Sequence, residues 1–299
     1  MENRFLQSDL AKECVPKEAE SLPGVRMESR TSCGFTIEAV KILTDEAAGK
    51  IGKPIGTYLT VDCGRIDFLG EDELETLARI LCGELRGFAE KCCKKRVDPS
   101  FSVLLVGLGN SSLTADAIGP FTLRRLNATA HLQTQDPSLY SSLGCSSVSM
   151  LAPGVLGQSG MEAGKIVCAL VKESKPDLVI AVDALAARDL ERLATTVQLS
   201  DSGIIPGSGV GNHRWGLTEQ TLGVPVLALG VPTVVSTSTL VWHTLAKAGV
   251  EEPDERLQSV LQRGNDFFVS LKECDQVTEQ IAKLLSRAFS LAFLGALAE

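Results

Sequence analysis

The sequence predicts an α/β fold, a three-layer α/β/α arrangement with a mostly parallel twisted sheet and helices on both faces. Three short apolar runs carry that expectation: Ser102-Val-Leu-Leu-Val106, Leu178-Val-Ile-Ala-Val182 and Pro225-Val-Leu-Ala-Leu-Gly-Val231. Runs of this length without polar alternation suit strands buried on both faces. Segments of helical period separate them, and alternating strands and helices build parallel crossovers covered on both sides.

In chain order, residues 1–32 are polar and turn-rich and read as a loosely held arm. Thr36-Ile-Glu-Ala-Val-Lys-Ile-Leu43 and Thr57-Tyr-Leu-Thr-Val-Asp-Cys63 read as strands. Asp72 to Lys95 reads as a long amphipathic helix whose stripe of Leu74, Leu77, Leu81, Leu85 and Phe88 is core packing. The strand at 102–106 leads through a Gly-Asn loop to a helix from about Asp116, where Gly119-Pro120 suits a first turn. Met161 to Ser174 reads as a helix before the strand at 178–182. Ala186 to Ala194 reads as a short helix, and Leu199 to Trp215 as a long loop rich in Gly, Ser and Pro. After the strand at 225–231, Thr233 to Ala248 and a segment from about Asp275 read as helices. No repeat or linker divides the chain, so one domain with an N-terminal arm is the simplest partition.

Composition narrows the function. A net charge of −8 over 299 residues argues against a direct nucleic-acid surface, which needs a basic patch. Nine cysteines at irregular spacing, with no C-x-x-C, fit neither a disulfide framework nor a zinc ribbon. They point to a reducing cytoplasm. The N-terminus is polar and does not read as a signal peptide. The most apolar terminal stretch, 288–298, is shorter than the roughly 20 residues that a membrane span needs. No membrane contact, metal or cofactor is expected.

The chemistry points to two aspartates. Asp183 closes the run Asp177-Leu-Val-Ile-Ala-Val-Asp183, and Asp116 lies in the loop after the strand at 102–106. Ligands and reactions in open α/β sheets collect beyond the carboxyl ends of such strands. Two carboxylates there suggest a shared-proton pair that activates water. Either residue alone could equally be a helix N-cap. Asn110 is presented by the Gly107-Leu-Gly-Asn110 turn, and Arg188 could hold a carboxylate bidentately, or equally be a solvated helix residue. The turn lacks the third glycine of a dinucleotide fingerprint, since position 112 is Ser. His131, His213 and His243 show no metal-ligand spacing. No G-x-S-x-G elbow or Cys/His pairing stands out.

Several segments resemble the germination protease of spore-forming bacteria, an atypical aspartic-type endopeptidase family. They are Val106-Gly-Leu-Gly-Asn110 through Thr114-Ala-Asp-Ala-Ile-Gly-Pro120, Ala152-Pro-Gly-Val-Leu-Gly157, and Ile180-Ala-Val-Asp-Ala-Leu-Ala-Ala-Arg188. Ser200 through Asn212, with its Gly-Ser-Gly-Val-Gly-Asn, and Thr221 through Val235 complete the set. The resemblance covers most of the chain. It implies the fold of the hydrogenase-maturation endopeptidases and assigns the catalytic pair to Asp116 and Asp183. The implied substrates are the small acid-soluble spore proteins, and the implied location is the cytoplasm of the spore core. It further implies a homo-oligomer made as a self-processing zymogen. Ser8-Asp-Leu-Ala-Lys-Glu13 resembles the cleavage region, with the cut between Asp9 and Leu10, so that 1–9 is propeptide and 10–299 the protease domain. The chain departs from the family in lacking a long insertion after Val250 and in carrying Ala115 where a Pro usually precedes the first aspartate. The alternatives are a hydrogenase-maturation-type endopeptidase that senses nickel and a non-enzymatic nucleotide- or small-molecule-binding module using Gly107-Leu-Gly109.

Overall fold

The three apolar runs form the centre of a single sheet in the computed structural model, which describes residues 8–15, 22–205, 215–250, 254–263 and 267–298. The strands are β1 (Val25–Ser32), β2 (Phe35–Ile42), β3 (Gly56–Asp62), β4 (Ser102–Gly107), β5 (Ser147–Leu151), β6 (Leu178–Ala186), β7 (Thr196–Ser200), β8 (Val226–Ser236) and β9 (Phe268–Ser270). Their order across the sheet is β1-β2-β3-β7-β8-β6-β4-β5, with β9 pairing on β8. The short helices α1 (Ala11–Cys14) and α2 (Asp45–Ile51) precede the long α3 (Glu71–Cys93). Then follow α4 (Ile118–Leu123), α5 (Leu132–Gln135), α6 (Pro137–Leu143), α7 (Leu156–Ser159) and α8 (Ala163–Ser174). The remainder are α9 (Glu219–Leu222), α10 (Thr237–Lys247), α11 (Glu255–Arg263) and α12 (Cys274–Phe293).

Residue parity along the central strands sorts side chains to two faces. Val103, Leu105, Ile180, Val182 and Leu229 point one way and share a core with Leu77, Leu81 and Leu85 of α3 and Ile281, Leu285 and Phe289 of α12. Leu104, Val106, Val179 and Ala181 point the other way, against Val167 and Val171 of α8. Both faces are therefore covered, as the expected three-layer fold requires. Arg287 on α12 clamps Glu75 on α3 through Nε at 2.7 Å and a second nitrogen at 3.0 Å. Arg86 on α3 reaches the carbonyl of Ala292 at 2.9 Å, which fixes the two helices in register.

The sheet corrects part of the expectation. Among the described residues, only β4–β5, β4–β6 and β6–β8 pair in parallel. The other five pairings are antiparallel, so the sheet is mixed rather than mostly parallel. Its antiparallel half is built on β7, which turns back beside β8 and carries β3, β2 and β1 outward. The N-terminal arm is likewise not loosely held over its described part, because residues 25–32 form β1. That strand is solvent-facing almost throughout, and its Val-Arg-Met-Glu-Ser-Arg-Thr-Ser sequence has no apolar face to announce it.

The helix expected at 186–194 is also absent. The Ala-rich stretch has high helix propensity, but strand pairing wins over it. β6 pairs with β8 as far as Ala186↔Val234, and only a single 3-10 turn at Leu190–Arg192 follows. Asp183 therefore lies three residues inside the strand and does not end it. Part of the expected 199–215 loop, including Gly207-Ser-Gly-Val-Gly211 and His213, falls outside the described residues. Among the described residues, no helix is long and apolar enough to cross a membrane.

Candidate functional site

The carboxyl end of β4 brings Asp116 back onto the sheet. Leu108, the first residue beyond β4, donates its N–H to the carbonyl of Val182 at 2.8 Å, which continues the β4–β6 ladder to the position beside Asp183. The chain then turns at Gly109, whose φ of +106° suits glycine. A Cβ there would stand 1.9 Å from the carbonyl oxygen of Asp116. The Asn110 N–H donates to Asp116 Oδ2 at 2.9 Å, and a 3-10 turn over Thr114–Asp116 packs on β6 and β8. Thr233 of β8 ties the turn down by donating to the Ala115 carbonyl at 2.7 Å. Gly119 completes the close packing, since a Cβ there would meet the Leu108 N and the carbonyls of Leu108 and Val182 at 2.4–2.6 Å.

Neither aspartate caps a helix. The N-cap of α4 is Ala117, which offers no side chain for the purpose. Asp183 is only 7% exposed, and its Oδ1 accepts from the N–H of the next residue, Ala184, at 2.9 Å. Across the sheet Asp183 pairs with Gly230 of β8, and Gly230 pairs with Gln198 of β7. Paired residues send their side chains to the same face. Asp183 and Gln198 thus rise on either side of a glycine. The side chain of Leu185 fills the space over that glycine, its carbons 2.6–2.8 Å from where a Gly230 Cβ would be.

Residues 8–15 lie along the end of β6 on this side. The Asp9 N–H donates to the Ala186 carbonyl at 2.8 Å, and Asp9 Oδ2 accepts from the Ala186 N–H at 2.9 Å. Leu10 is 1% exposed and fills a pocket of Leu185, Ala187, Leu193 and Val235. Gln198 brackets it: Oε1 accepts from the Ala11 N–H at 2.8 Å and Nε2 donates to the Asp9 carbonyl at 3.1 Å. The Glu13 carboxylate accepts from the backbone N–H groups of Arg188 at 2.7 Å and Asp189 at 3.0 Å, and from the Ser8 hydroxyl. Lys53 donates to the Ser8 carbonyl at 2.9 Å, and Lys12 pairs with Glu38.

A cavity of about 360 Å³ opens beside Ser8 and Asp9, lined among others by Lys53, Tyr58, Gln198, Ser200 and Ile204. Tyr58 donates its hydroxyl to the Pro54 carbonyl at 2.8 Å. Burial pushes the Tyr58 phenol up to about 12, so it stays protonated at any physiological pH.

The other expected residues have more specific places. Asn110 serves Asp116 through its backbone, while its side-chain Oδ1 accepts from the Ser112 N–H at 3.0 Å and from Gln158 Nε2 at 2.9 Å. Arg188 touches the arm through its backbone, and its Nε is buried without a hydrogen-bond partner among the described residues. No cluster of His, Cys, Asp or Glu suited to a metal ion occurs among the described residues. Sequence reasoning passed over Gln198. Its only signal was a polar residue between the core positions Val197 and Leu199, which reads as an ordinary outward-facing strand position.

Comparison with known proteins shows the family. Residues 1–247 match the family model for the germination protease. The germination protease of Clostridium acetobutylicum is 36% identical, over 92% of this chain and 89% of that one. That of Caldanaerobacter subterraneus subsp. tengcongensis is 37% identical over 98% and 96%, and that of Bacillus velezensis 40% over 81% and 67%. The family match stops at Lys247. With matches of this extent and identity, the chain belongs to the germination protease family and is a peptidase.

Proposed function

We propose that this peptidase opens the degradation of small acid-soluble spore proteins during germination, that it is made as a zymogen, and that Asp116 and Asp183 are its catalytic pair. The observation that carries the reading is the seating of Ser8-Asp-Leu-Ala-Lys-Glu13. This substrate-like segment lies against the end of the strand that bears Asp183: Asp9 pairs with Ala186, Leu10 is extended, and the chain then turns into α1 at Ala11. A chain that must cut its own arm at Asp9-Leu10 needs that bond beside its acid/base groups.

In this mechanism one carboxylate of the pair takes a proton from water as the water oxygen bonds to the scissile carbonyl carbon. The other, protonated, donates to the carbonyl oxygen. Collapse of the tetrahedral intermediate breaks the C–N bond, and the departing amine takes a proton from the pair. Two carboxylates close together raise one pKa, so that they share a proton. The loop around Gly107-Leu-Gly109 fits this role better than phosphate binding, because the N–H of Asn110 is already given to Asp116. Residues 1–9 are then the propeptide and 10–299 the protease domain. The working form is a homo-oligomer in the spore core.

The test is cleavage of a purified small acid-soluble spore protein by the processed enzyme, with Asp116→Asn and Asp183→Asn as controls. Both variants fold, and both lose cleavage. Full activity in either one removes that residue from the catalytic pair.

A further inference from the structure

We propose that Gln198 is a third catalytic residue, whose amide N–H polarises the scissile carbonyl and holds the oxyanion. The inference rests on the reading that Asp9-Leu10 is the bond cut. The carbonyl that Gln198 Nε2 touches at 3.1 Å is that of Asp9, the carbonyl of this bond. The other end of the amide accepts from the Ala11 N–H at 2.8 Å. A backbone carbonyl only accepts and a backbone N–H only donates, so these two partners dictate which end of the amide is nitrogen.

Three features suit the residue to catalysis as well as docking. Gln198 is 7% exposed, in surroundings where a hydrogen bond to developing charge is worth more than in water. It rises from the same row of the sheet as Asp183, with Gly230 between them. Two strand spacings put the Gln198 and Asp183 backbones about 10 Å apart. The Leu185 side chain fills the space over Gly230, and the Asp9 carbonyl lies against the Gln198 amide beside it. The partner groups are also held in advance. Gln198 is anchored at Ala11 and Asp9 is anchored at Ala186, so the donor is in place before charge develops.

In the step itself the water oxygen bonds to the Asp9 carbonyl carbon and the C=O π pair moves onto the oxygen. The water's proton goes to a carboxylate of the pair. The Gln198 N–H strengthens its hydrogen bond to that oxygen without giving up the proton. As the intermediate collapses, the electron pair of the C–N bond leaves with the Leu10 nitrogen, which takes up the proton that the carboxylate received from water. Nothing is oxidised or reduced, and Gln198 emerges unchanged. A donor of this kind typically contributes about 100- to 1,000-fold to the rate.

The experiment compares self-cleavage of the full chain, by mass spectrometry over time, for wild type, Gln198→Glu and Gln198→Met. Hydrogen exchange at the Ala11 amide reports whether the arm stays docked. Gln198→Glu keeps the acceptor for Ala11 and removes the donor. It is expected to hold Ala11 protection within a few-fold while cutting at least about 100-fold more slowly. Gln198→Met, similar in shape but with neither polar atom, is expected to be slow and to lose the protection as well. Cleavage within threefold of wild type in Gln198→Glu overturns the proposal. Slow cleavage of Gln198→Glu together with lost Ala11 protection also overturns it, since Gln198 is then a docking residue only. If the wild-type chain cuts itself elsewhere than Asp9-Leu10, the underlying reading of the scissile bond fails, and this is seen without any variant.

Discussion

Leu10 is the anchor of the docked arm, and Leu10→Ala measures how firmly the arm is held. The side chain is 1% exposed among Leu185, Ala187, Leu193 and Val235. Truncating a buried Leu to Ala costs about 2–5 kcal/mol, the spread reflecting how far the site collapses around the gap. The pocket sits at the end of a strand and closes on a short segment, so the lower half applies, about 2.5–3 kcal/mol. At 1.4 kcal/mol per factor of ten, that is about a 100-fold shift toward the undocked arm. The cost is confined to the arm, because a short segment can detach while the sheet stays folded. The assay is native-state hydrogen exchange in an Asp116→Asn background, which keeps the chain uncut. The amides to follow are Asp9, bonded to the Ala186 carbonyl, and Ala11, bonded to Gln198. Their protection should fall about 100-fold, while the global unfolding midpoint moves little. Protection within threefold of the parent would refute the claim that this pocket holds the arm.

Three further predictions follow from the same geometry. Gly109→Ala forces a Cβ to within 1.9 Å of the Asp116 carbonyl at a φ of +106°, so Asp116 must move. Self-processing should fall at least tenfold, with a loss of about 1–3 kcal/mol of stability by denaturant unfolding; normal processing would contradict the role given to that turn. Asp177 immediately precedes β6. Burial raises its pKa, but hydrogen bonds from Lys95 and from the backbone and hydroxyl of Ser102 outweigh this and hold it below 3.8. A depressed carboxylate contributes stability above its unfolded pKa and loses it as pH falls through the folded one. Asp177→Asn should therefore cost about 1 kcal/mol at neutral pH after solvent screening, with the gap to wild type closing below about pH 4. Finally, neither nickel nor a chelator should change the cleavage rate, and a chelator that abolishes it would favour the hydrogenase-maturation reading.

The sequence made the parallel half of the sheet legible because strands buried on both faces cannot hide. The runs at 102–106, 178–182 and 225–231 are apolar at every parity, and both helix layers confirm why. The antiparallel half was harder. β1 has one exposed residue after another, and β7 is five residues long with Gln198 interrupting its apolar character. The Ala184-Leu-Ala-Ala187 stretch misled because local propensity favours helix, whereas pairing with β8 and with Asp9 holds it extended. The same imbalance holds at the candidate site. Asp116 and Asp183 stand next to strand signals and could be named. Gln198 has no motif, and only the register β6–β8–β7 places it in the row of Asp183. The seating of Glu13 on the N–H groups of Arg188 and Asp189 is likewise a long-range contact that no local pattern encodes.

The central claim is that Asp116 and Asp183 cut the chain's own arm at the bond that Gln198 and Ala186 hold in place. N-terminal sequencing of the full chain after incubation, beside Asp116→Asn and Asp183→Asn, tests it most directly. A new terminus at Leu10 in wild type and an intact Met1 start in both variants is the predicted result. A terminus elsewhere, or processing to Leu10 in either variant, contradicts it.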